Sequence, residues 1–182
     1  MCIRDSNKGY ILTAAHVVEN TEKLWIRIPA KGTEIYIGEI VSVFPHFDIA
    51  VLKVLNYKNK HYLKLGDSNK MALRSEVYNI GFPLIAKNPI ISSGTISGYV
   101  QHKKKYYIQC DTVNNPGCSG GPVMNKDNEV IGLTSARTGK SEGSGLIIPS
   151  SIIKIYLNKM IKGTNKIFYE NSLGMSLING TN

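Results

Sequence analysis

Residues 114–123, NNPGCSGGPV, weigh most in deciding the fold, because they place Cys118 and Ser119 side by side before a double glycine. Either side chain can act as a covalent nucleophile if a base accepts its proton. A tight turn would bring the backbone N–H groups of Gly117 and Ser119 to one point, where they would stabilise an oxyanion. A bulky side chain at Gly117 would obstruct that turn, and the glycine pair lets the chain pass close behind the nucleophile. The stretch is therefore a candidate nucleophile turn of an acyl-transfer site, although an SGG triplet alone could also be only a flexible turn.

Two further segments supply partners for this turn. The segment GYILTAAHVV, residues 9–18, is a predicted strand that runs into a small-residue turn presenting His16. The segment FDIAVLKV, residues 47–54, places Asp48 directly before a predicted buried strand. Each alone is weak evidence, since a histidine near apolar residues is more often structural and an aspartate before a strand is more often a turn former. Together with Ser119 they form, in chain order, a base, an acid that orients it and a nucleophile.

Short apolar or alternating runs separated by Gly, Pro, Asn and Lys clusters dominate the chain from residue 9 to 148, which is typical of all-β sandwiches and barrels. One segment differs, because its apolar residues recur at helical spacing and predict a helix over 151–162, with Ser150 or Ser151 as N-cap and Gly163 as its end. The predicted strands are 9–13, 24–28, 35–44, 49–54, 77–81, 90–100, 106–110, 130–136 and 145–148.

Composition narrows the classes of function. The chain has 182 residues and is 42% hydrophobic and 19% charged, which is typical of a globular protein. No apolar run reaches the roughly 18 residues of a membrane span. The formal charge is +9, but the lysines are scattered, and the only dense run, residues 103–105, is predicted to be a solvated hairpin tip, so nucleic-acid binding is not expected.

The chain has three cysteines, Cys2, Cys110 and Cys118. An odd number without metal-type spacing favours neither a disulfide framework nor a zinc site. Acyl transfer at a serine needs neither a metal nor an organic cofactor, and none is expected.

Taken together, the pieces GYILTAAHVV, DIAVLKV, LGDS, VYNIGFP, SSGTISG, IQCDTVNNPGCSGGPV, NEVIGL and GSGLIIPSS resemble the HtrA/Deg family of trypsin-like serine proteases in order and spacing. The resemblance implies an all-β protease domain over residues 1–162, with two antiparallel six-stranded β-barrels and a C-terminal helix. Barrel one would occupy about 9–56, barrel two about 71–149 and the helix 151–162. The active site would lie in the cleft between the barrels.

The resemblance also assigns roles around the turn. In this family the nucleophile directly precedes the double glycine, which selects Ser119, with Gly117 and Ser119 as oxyanion donors. Cys118 occupies a position usually filled by Asn or Asp and is interpreted as a small, semi-buried filler. Near the primary specificity pocket, Asn114 and Arg137 replace residues that are commonly aliphatic. One hypothesis is a more polar pocket; the alternative is that Arg137 points to solvent and only its stem touches substrate.

The ends of the chain depart from the family pattern. The leader MCIRDSNK matches no family strand, so barrel one is expected to be incomplete and the chain to be N-terminally truncated. Residues 163–182 are interpreted as a linker and the start of a truncated PDZ domain. From the family alone, the parent protein would be extracytoplasmic and a homotrimer.

The function that follows is a serine endopeptidase that hydrolyses unfolded or misfolded polypeptides through an acyl-enzyme on Ser119. An alternative is a catalytically inert protease-fold module that binds peptides as a chaperone does. A third hypothesis is an anion-binding surface for RNA or membrane, based on the charge of +9 alone.

Overall fold

The computed structural model describes residues 8–21, 23–28, 31–57, 62–83, 88–102, 104–112, 115–135, 145–163, 166–171 and 174–179. This part of the chain forms two β-sheet bodies and one α-helix, which confirms the predicted all-β fold with a C-terminal helix. The strands of the first body are β1 (Tyr10–Ala14), β2 (Leu24–Arg27), β3 (Ile35–Phe44) and β4 (Ile49–Val54), joined by two strands near the C-terminus.

The second body is a closed antiparallel barrel of six strands. The strands are β5 (Glu76–Gly81), β6 (Ile90–His102), β7 (Lys105–Cys110), β8 (Pro122–Met124), β9 (Val130–Ser135) and β10 (Gly145–Pro149). They pair in the order β10-β7-β6-β5-β8-β9. The centre of the barrel is filled by inward-facing apolar side chains of alternate strand positions, among them Val77, Ile96 and Ile131.

The first body is an open, six-stranded sheet. The strand order is β1, β4, β3, β11 (Lys166–Asn171) and β12 (Gly174–Asn179), and β2 pairs with β3. The hairpin of β11 and β12 joins the sheet through a short parallel pairing of β11 with β3. The expectation of an incomplete first barrel is therefore confirmed, but its last two strands come from a segment for which the sequence predicted no strands. The assignment of residues 163–182 to a linker and a PDZ start, like the other domain limits, stays a prediction.

The helix α1 (Ser150–Lys162) packs on both bodies. Its buried face consists of Ile153, Leu157 and Met160. These side chains lie in one apolar cluster with residues of the first sheet, such as Phe44, and of the barrel, such as Leu133. Burial of this stripe fixes the helix against both bodies, since each buried large aliphatic side chain contributes about 1.5–3 kcal/mol.

Most predicted boundaries agree with the structure within two residues, and two details differ. Strand β8 was not predicted, because three residues that begin with proline give little strand signal. The helix N-cap is Pro149, without a side-chain hydrogen bond, instead of Ser150 or Ser151. Ser150 lies inside the first turn of the helix, and its hydroxyl donates to the Gly66 carbonyl at 2.9 Å. Ser150 therefore ties the helix to the loop between β4 and β5 and does not cap it.

Candidate active site

His16 and Asp48 are in direct contact, as the sequence suggested. The Nδ1 atom of His16 lies 2.8 Å from Asp48 Oδ2 and 2.9 Å from Oδ1. The backbone N–H of His16 donates a further hydrogen bond of 2.9 Å to Oδ1. An ionised carboxylate only accepts hydrogen bonds, so Nδ1 must carry the proton and Nε2 is left as the free acceptor. This is the tautomer that a general base needs.

The local backbone explains why these two side chains meet. His16 lies in a 3₁₀ turn, Ala15–Val17, directly after β1, and Asp48 lies directly before β4. Strands β1 and β4 pair so that Ala14 is opposite Ile49, which brings the two turns to the same end of the sheet. Asp48 has φ of 57°, a left-handed conformation that aspartate tolerates better than most side chains. The Ala15 N–H donates to the Asp48 carbonyl at 3.0 Å and closes this corner.

Ser135, at the end of β9, is a partner of the site that the sequence analysis missed. Its hydroxyl donates to Asp48 Oδ2 at 2.8 Å across the junction of the two sheets. Both residues are buried, with Asp48 only 4% exposed and Ser135 2%. The carboxylate thus receives donors from the His16 backbone, the His16 ring and Ser135. A buried carboxylate needs such donors, because an unpaired one would be costly.

Ser119 lies on a turn that packs against the end of β1. This strand ends two residues before His16. The following residue, Gly120, has φ of +72°, and a Cβ there would lie 2.2 Å from Thr13 Oγ1 and 2.7 Å from the Ala14 nitrogen. Only glycine fits this approach. The Gly120 N–H donates to the Thr134 carbonyl at 2.8 Å, next to Ser135. The turn is therefore fixed between the strands that carry His16 and the partner of Asp48.

The third link of the set is not closed in this structure. Among the described residues, no hydrogen bond joins the Ser119 hydroxyl to the His16 ring. Such bonds are often long in unliganded enzymes and shorten when substrate binds. The structure thus joins His16 to Asp48 and places the Ser119 turn beside them.

The backbone of the turn leaves the two expected oxyanion donors unused. Gly117 has φ of +97°, a conformation that favours glycine. The N–H of Cys118, between them, donates to the Asn115 carbonyl at 3.0 Å. In the part of the chain that the structure describes, the N–H groups of Gly117 and Ser119 donate to no protein acceptor. These two donors are available to an external oxyanion.

Cys118 is buried and packs on the floor of the turn, as a filler would. A Cβ built on Gly81 would lie 2.2 Å from the Cys118 sulfur, so the thiol packs directly on the backbone of β5. Its exposed fraction is 6%. A sulfur packed against β5 is poorly placed to attack a substrate. Cys110, the other described cysteine, is also buried, and burial raises the pKa of its thiol.

Other predicted features fall outside the geometry of the site. Asn114 and Arg137 lie outside the described residues, so the specificity-pocket hypotheses stay predictions.

Tyr107, on β7, is buried, and its pKa is raised by burial and, to a smaller degree, by the negative charge of Asp48. Its hydroxyl is therefore neutral at physiological pH. The described residues contain no cluster of His, Cys, Asp and Glu that could hold a metal ion. No helix among them is long and apolar enough to span a membrane.

Comparison with known proteins places this geometry in context. The model of the trypsin-like peptidase domain matches residues 1–133. The periplasmic serine endoprotease DegP of Salmonella typhimurium is 30% identical over 167 residues, which cover 88% of this chain and 35% of DegP. The serine protease Do-like HtrB of Bacillus subtilis is 30% identical over 171 residues, or 87% of this chain and 37% of HtrB. The chain thus spans about a third of the length of these relatives.

Solved structures give the same result. The HtrA-type protease AlgW, solved with a tripeptide, superposes with a TM-score of 0.77 at 26% sequence identity and covers 88% of this chain and 55% of AlgW. AlgW solved with a decapeptide gives a TM-score of 0.79, also at 26% identity, over 92% of this chain and 53% of AlgW. The resemblance to the HtrA/Deg group, first drawn from short motifs, is confirmed by both comparisons.

Proposed function

Because the chain belongs to the family of trypsin-like peptidase domains, we propose that it is a serine endopeptidase in which Ser119, His16 and Asp48 form the catalytic triad. The observation that carries the proposal is the double contact of the His16 ring with the buried Asp48 carboxylate, beside a glycine-rich turn that presents Ser119. Ser119 is assigned as nucleophile instead of Cys118, because the cysteine sulfur packs on Gly81.

The proposed reaction has two halves. In the first, Ser119 Oγ attacks the peptide carbonyl carbon, and His16 Nε2 takes the hydroxyl proton. The amine then leaves with that proton as the C–N bond breaks, and an ester on Ser119 remains. In the second half, water gives a proton to His16 and attacks the ester, and Ser119 recovers its proton as the acid product departs.

The surrounding groups stabilise the charges that this reaction creates. Asp48, held by Ser135, would keep the ring oriented and stabilise the imidazolium form of His16. The N–H groups of Gly117 and Ser119 would bind the oxyanion; removal of one such donor in other enzymes costs about 10²–10³ in kcat. No step requires a metal or a cofactor.

The proposed substrates are extended segments of unfolded or misfolded polypeptides. The support comes from relatives: HtrA-type AlgW has been solved with a tripeptide and with a decapeptide, and DegP is named a periplasmic endoprotease. The names of such relatives also support an extracytoplasmic location for this chain. Assembly into a trimer is a further prediction from the family resemblance.

Turnover of a casein-type substrate tests the proposal. Ser119→Ala should lower kcat by about a million-fold, the scale of other serine triads, and His16→Ala should have a comparable effect. Cys118→Ala is the matched control and should keep most of the activity. If Ser119→Ala kept kcat within about tenfold of the parent chain, the triad assignment would be wrong. If the parent chain bound unfolded polypeptide without cleaving it, the inert peptide-binding module would be the better account.

A further inference from the structure

The turn that precedes Asp48 is held by a cluster of aromatic rings from three elements. Phe47, in the 3₁₀ turn Pro45–Phe47, stacks on Tyr156 of α1, with ring centroids 5.3 Å apart and planes inclined by 27°. Phe44, at the end of β3, meets the same tyrosine edge to face at 4.8 Å. Stacked and edge-to-face pairs at these distances are the favourable arrangements for aromatic rings. Tyr156 therefore contacts both ends of the turn.

Phe47 and Asp48 are neighbours in the turn that leads into β4. Asp48 directly follows Phe47, and its N–H donates to the Pro45 carbonyl at 3.2 Å. The left-handed backbone at Asp48, with φ of 57°, is less favourable than the ordinary conformations of an L-residue. Such a conformation persists when its surroundings fix it. A shift of the Phe47 ring would thus turn the carboxylate that accepts from His16.

Tyr156, on the other side of the stack, is carried by α1, which packs on both bodies. It lies on α1 between the buried residues Ile153 and Leu157. The start of the helix is tied to the loop between β4 and β5, because the Ser150 hydroxyl donates to the Gly66 carbonyl and accepts from the Ser68 N–H. The aromatic stack consequently connects α1, which also packs on the barrel, to a turn of the first sheet.

We propose that the stack of Phe47 on Tyr156 is a positioning device for Asp48, through which the docking of α1 fixes the carboxylate that orients His16; this rests on the function proposed above. Phe47 and Tyr156 would act through Asp48, as positioning residues. Displacement of α1, by a partner or a substitution, would then loosen the His16–Asp48 contact and reduce turnover without blocking substrate access.

The test is Tyr156→Leu, measured for kcat, KM and hydrogen exchange. A displacement of about 1 Å in a catalytic group can cost about a hundredfold in rate, so kcat should fall about tenfold to a hundredfold, with KM within about threefold. The His16 Nδ1 proton, observed by NMR, should exchange faster with water. Phe47→Leu should give the same phenotype, and combining both substitutions should add little more. Tyr156→Phe, which keeps the stacked ring, should show a higher kcat and a slower exchange of the His16 proton than Tyr156→Leu.

Tyr36→Leu is the matched control. Tyr36 forms a similar edge-to-face pair with Tyr57, at 5.1 Å and 65°, near the opposite end of β3 from Phe44. The Tyr36→Leu substitution should lower the melting temperature without changing the exchange of the His16 proton. If Tyr156→Leu and Phe47→Leu matched Tyr36→Leu in kcat and in proton exchange, the positioning role would be refuted.

The NMR measurement separates failure of this inference from failure of the proposed function. It is made on the intact chain carrying Ser119→Ala, so it needs no catalysis. If the parent chain showed no turnover but Tyr156→Leu still accelerated exchange of the His16 proton, the function would fail and the positioning role would stand. Should Tyr156→Leu not fold, as judged by its melting temperature, Phe47→Leu makes the same comparison.

Discussion

Replacement of Ser135 by alanine is the perturbation that best separates the orientation of Asp48 from the rest of the fold. The substitution removes one hydroxyl at the end of β9 and leaves the backbone pairing of β9 with β10 in place. It deletes the 2.8 Å hydrogen bond to Asp48 Oδ2, one of the contacts that hold the carboxylate under the His16 ring. The contacts of Asp48 with the His16 ring and with the His16 backbone N–H remain.

The expected magnitude follows from the burial of the pair. A hydrogen bond to a charged group contributes about 1.5–3 kcal/mol, and both residues are almost fully buried, so little solvent can replace the lost donor. We expect Ser135→Ala to lower the free energy of unfolding at pH 7 by about 1.5–3 kcal/mol. At about 1.4 kcal/mol for each factor of ten, kcat should fall by at most about 10–150-fold. The binding contribution to KM should change little, because Ser135 is tied to Asp48 and not to substrate.

The assay combines urea unfolding with steady-state hydrolysis of a peptide substrate. Thr134→Val is the matched control, since Thr134 is the preceding residue of β9 and its buried hydroxyl donates to Asn79 Oδ1 at 2.9 Å. That bond joins neutral groups, so we expect a loss of about 0.5–1.5 kcal/mol and an unchanged kcat. If Ser135→Ala matched Thr134→Val in both stability and kcat, the reasoning about the Asp48 carboxylate would be refuted.

Three further substitutions test other parts of the structure. Gly120→Ala puts a Cβ 2.7 Å from the Ala14 nitrogen at a φ of +72°, so we expect about 2–5 kcal/mol of lost stability in urea unfolding; a variant as stable as the parent would contradict the close approach of this turn to β1. Gly81→Ala would place a methyl 2.2 Å from the Cys118 sulfur and should lower both stability and turnover. Cys118→Ala in the same chain should restore part of the loss, and a double variant no better than Gly81→Ala would disprove the contact. The hydrogen bonds from Thr95 to the Asp111 carboxylate lower its pKa, so its contribution is present above the ordinary carboxyl pKa of about 3.9 and is lost as pH falls through the lowered value. The stability difference between the parent chain and Asp111→Asn should shrink below about pH 4; a difference that is constant from pH 7 to 3 would rule out this assignment.

Most of the strands and the His16–Asp48 pair could be predicted from sequence because their signals are local. Apolar alternation sets the faces of strands such as β3 and β4, whose limits agree with the prediction. The helix was recognisable from its apolar stripe, although Ser150 is drawn into a bond with Gly66 and does not cap it. Asp48 stands directly before a buried strand, and His16 lies in the turn that follows another, so pairing of β1 with β4 brings them together.

The features that sequence reasoning missed depend on contacts between distant parts of the chain. Ser135 is a buried serine in a strand, and nothing near it in sequence shows that its hydroxyl meets Asp48, a residue 87 positions away. The hairpin of β11 and β12 was overlooked because the resemblance of residues 163–182 to another domain took precedence over their strand-forming composition. The role of Tyr156 similarly depends on where α1 docks, since helical spacing alone marks it only as part of an apolar stripe.

Labelling with a fluorophosphonate, followed by mass spectrometry of the modified peptide, tests the central claim most directly, because such reagents need a serine activated by its neighbours. We expect a single adduct on Ser119 in the parent chain and in Cys118→Ala, and no adduct in His16→Ala or Ser119→Ala. Absence of labelling in the well-folded parent chain, or an adduct that persists without His16, would show that these side chains do not act together as a triad.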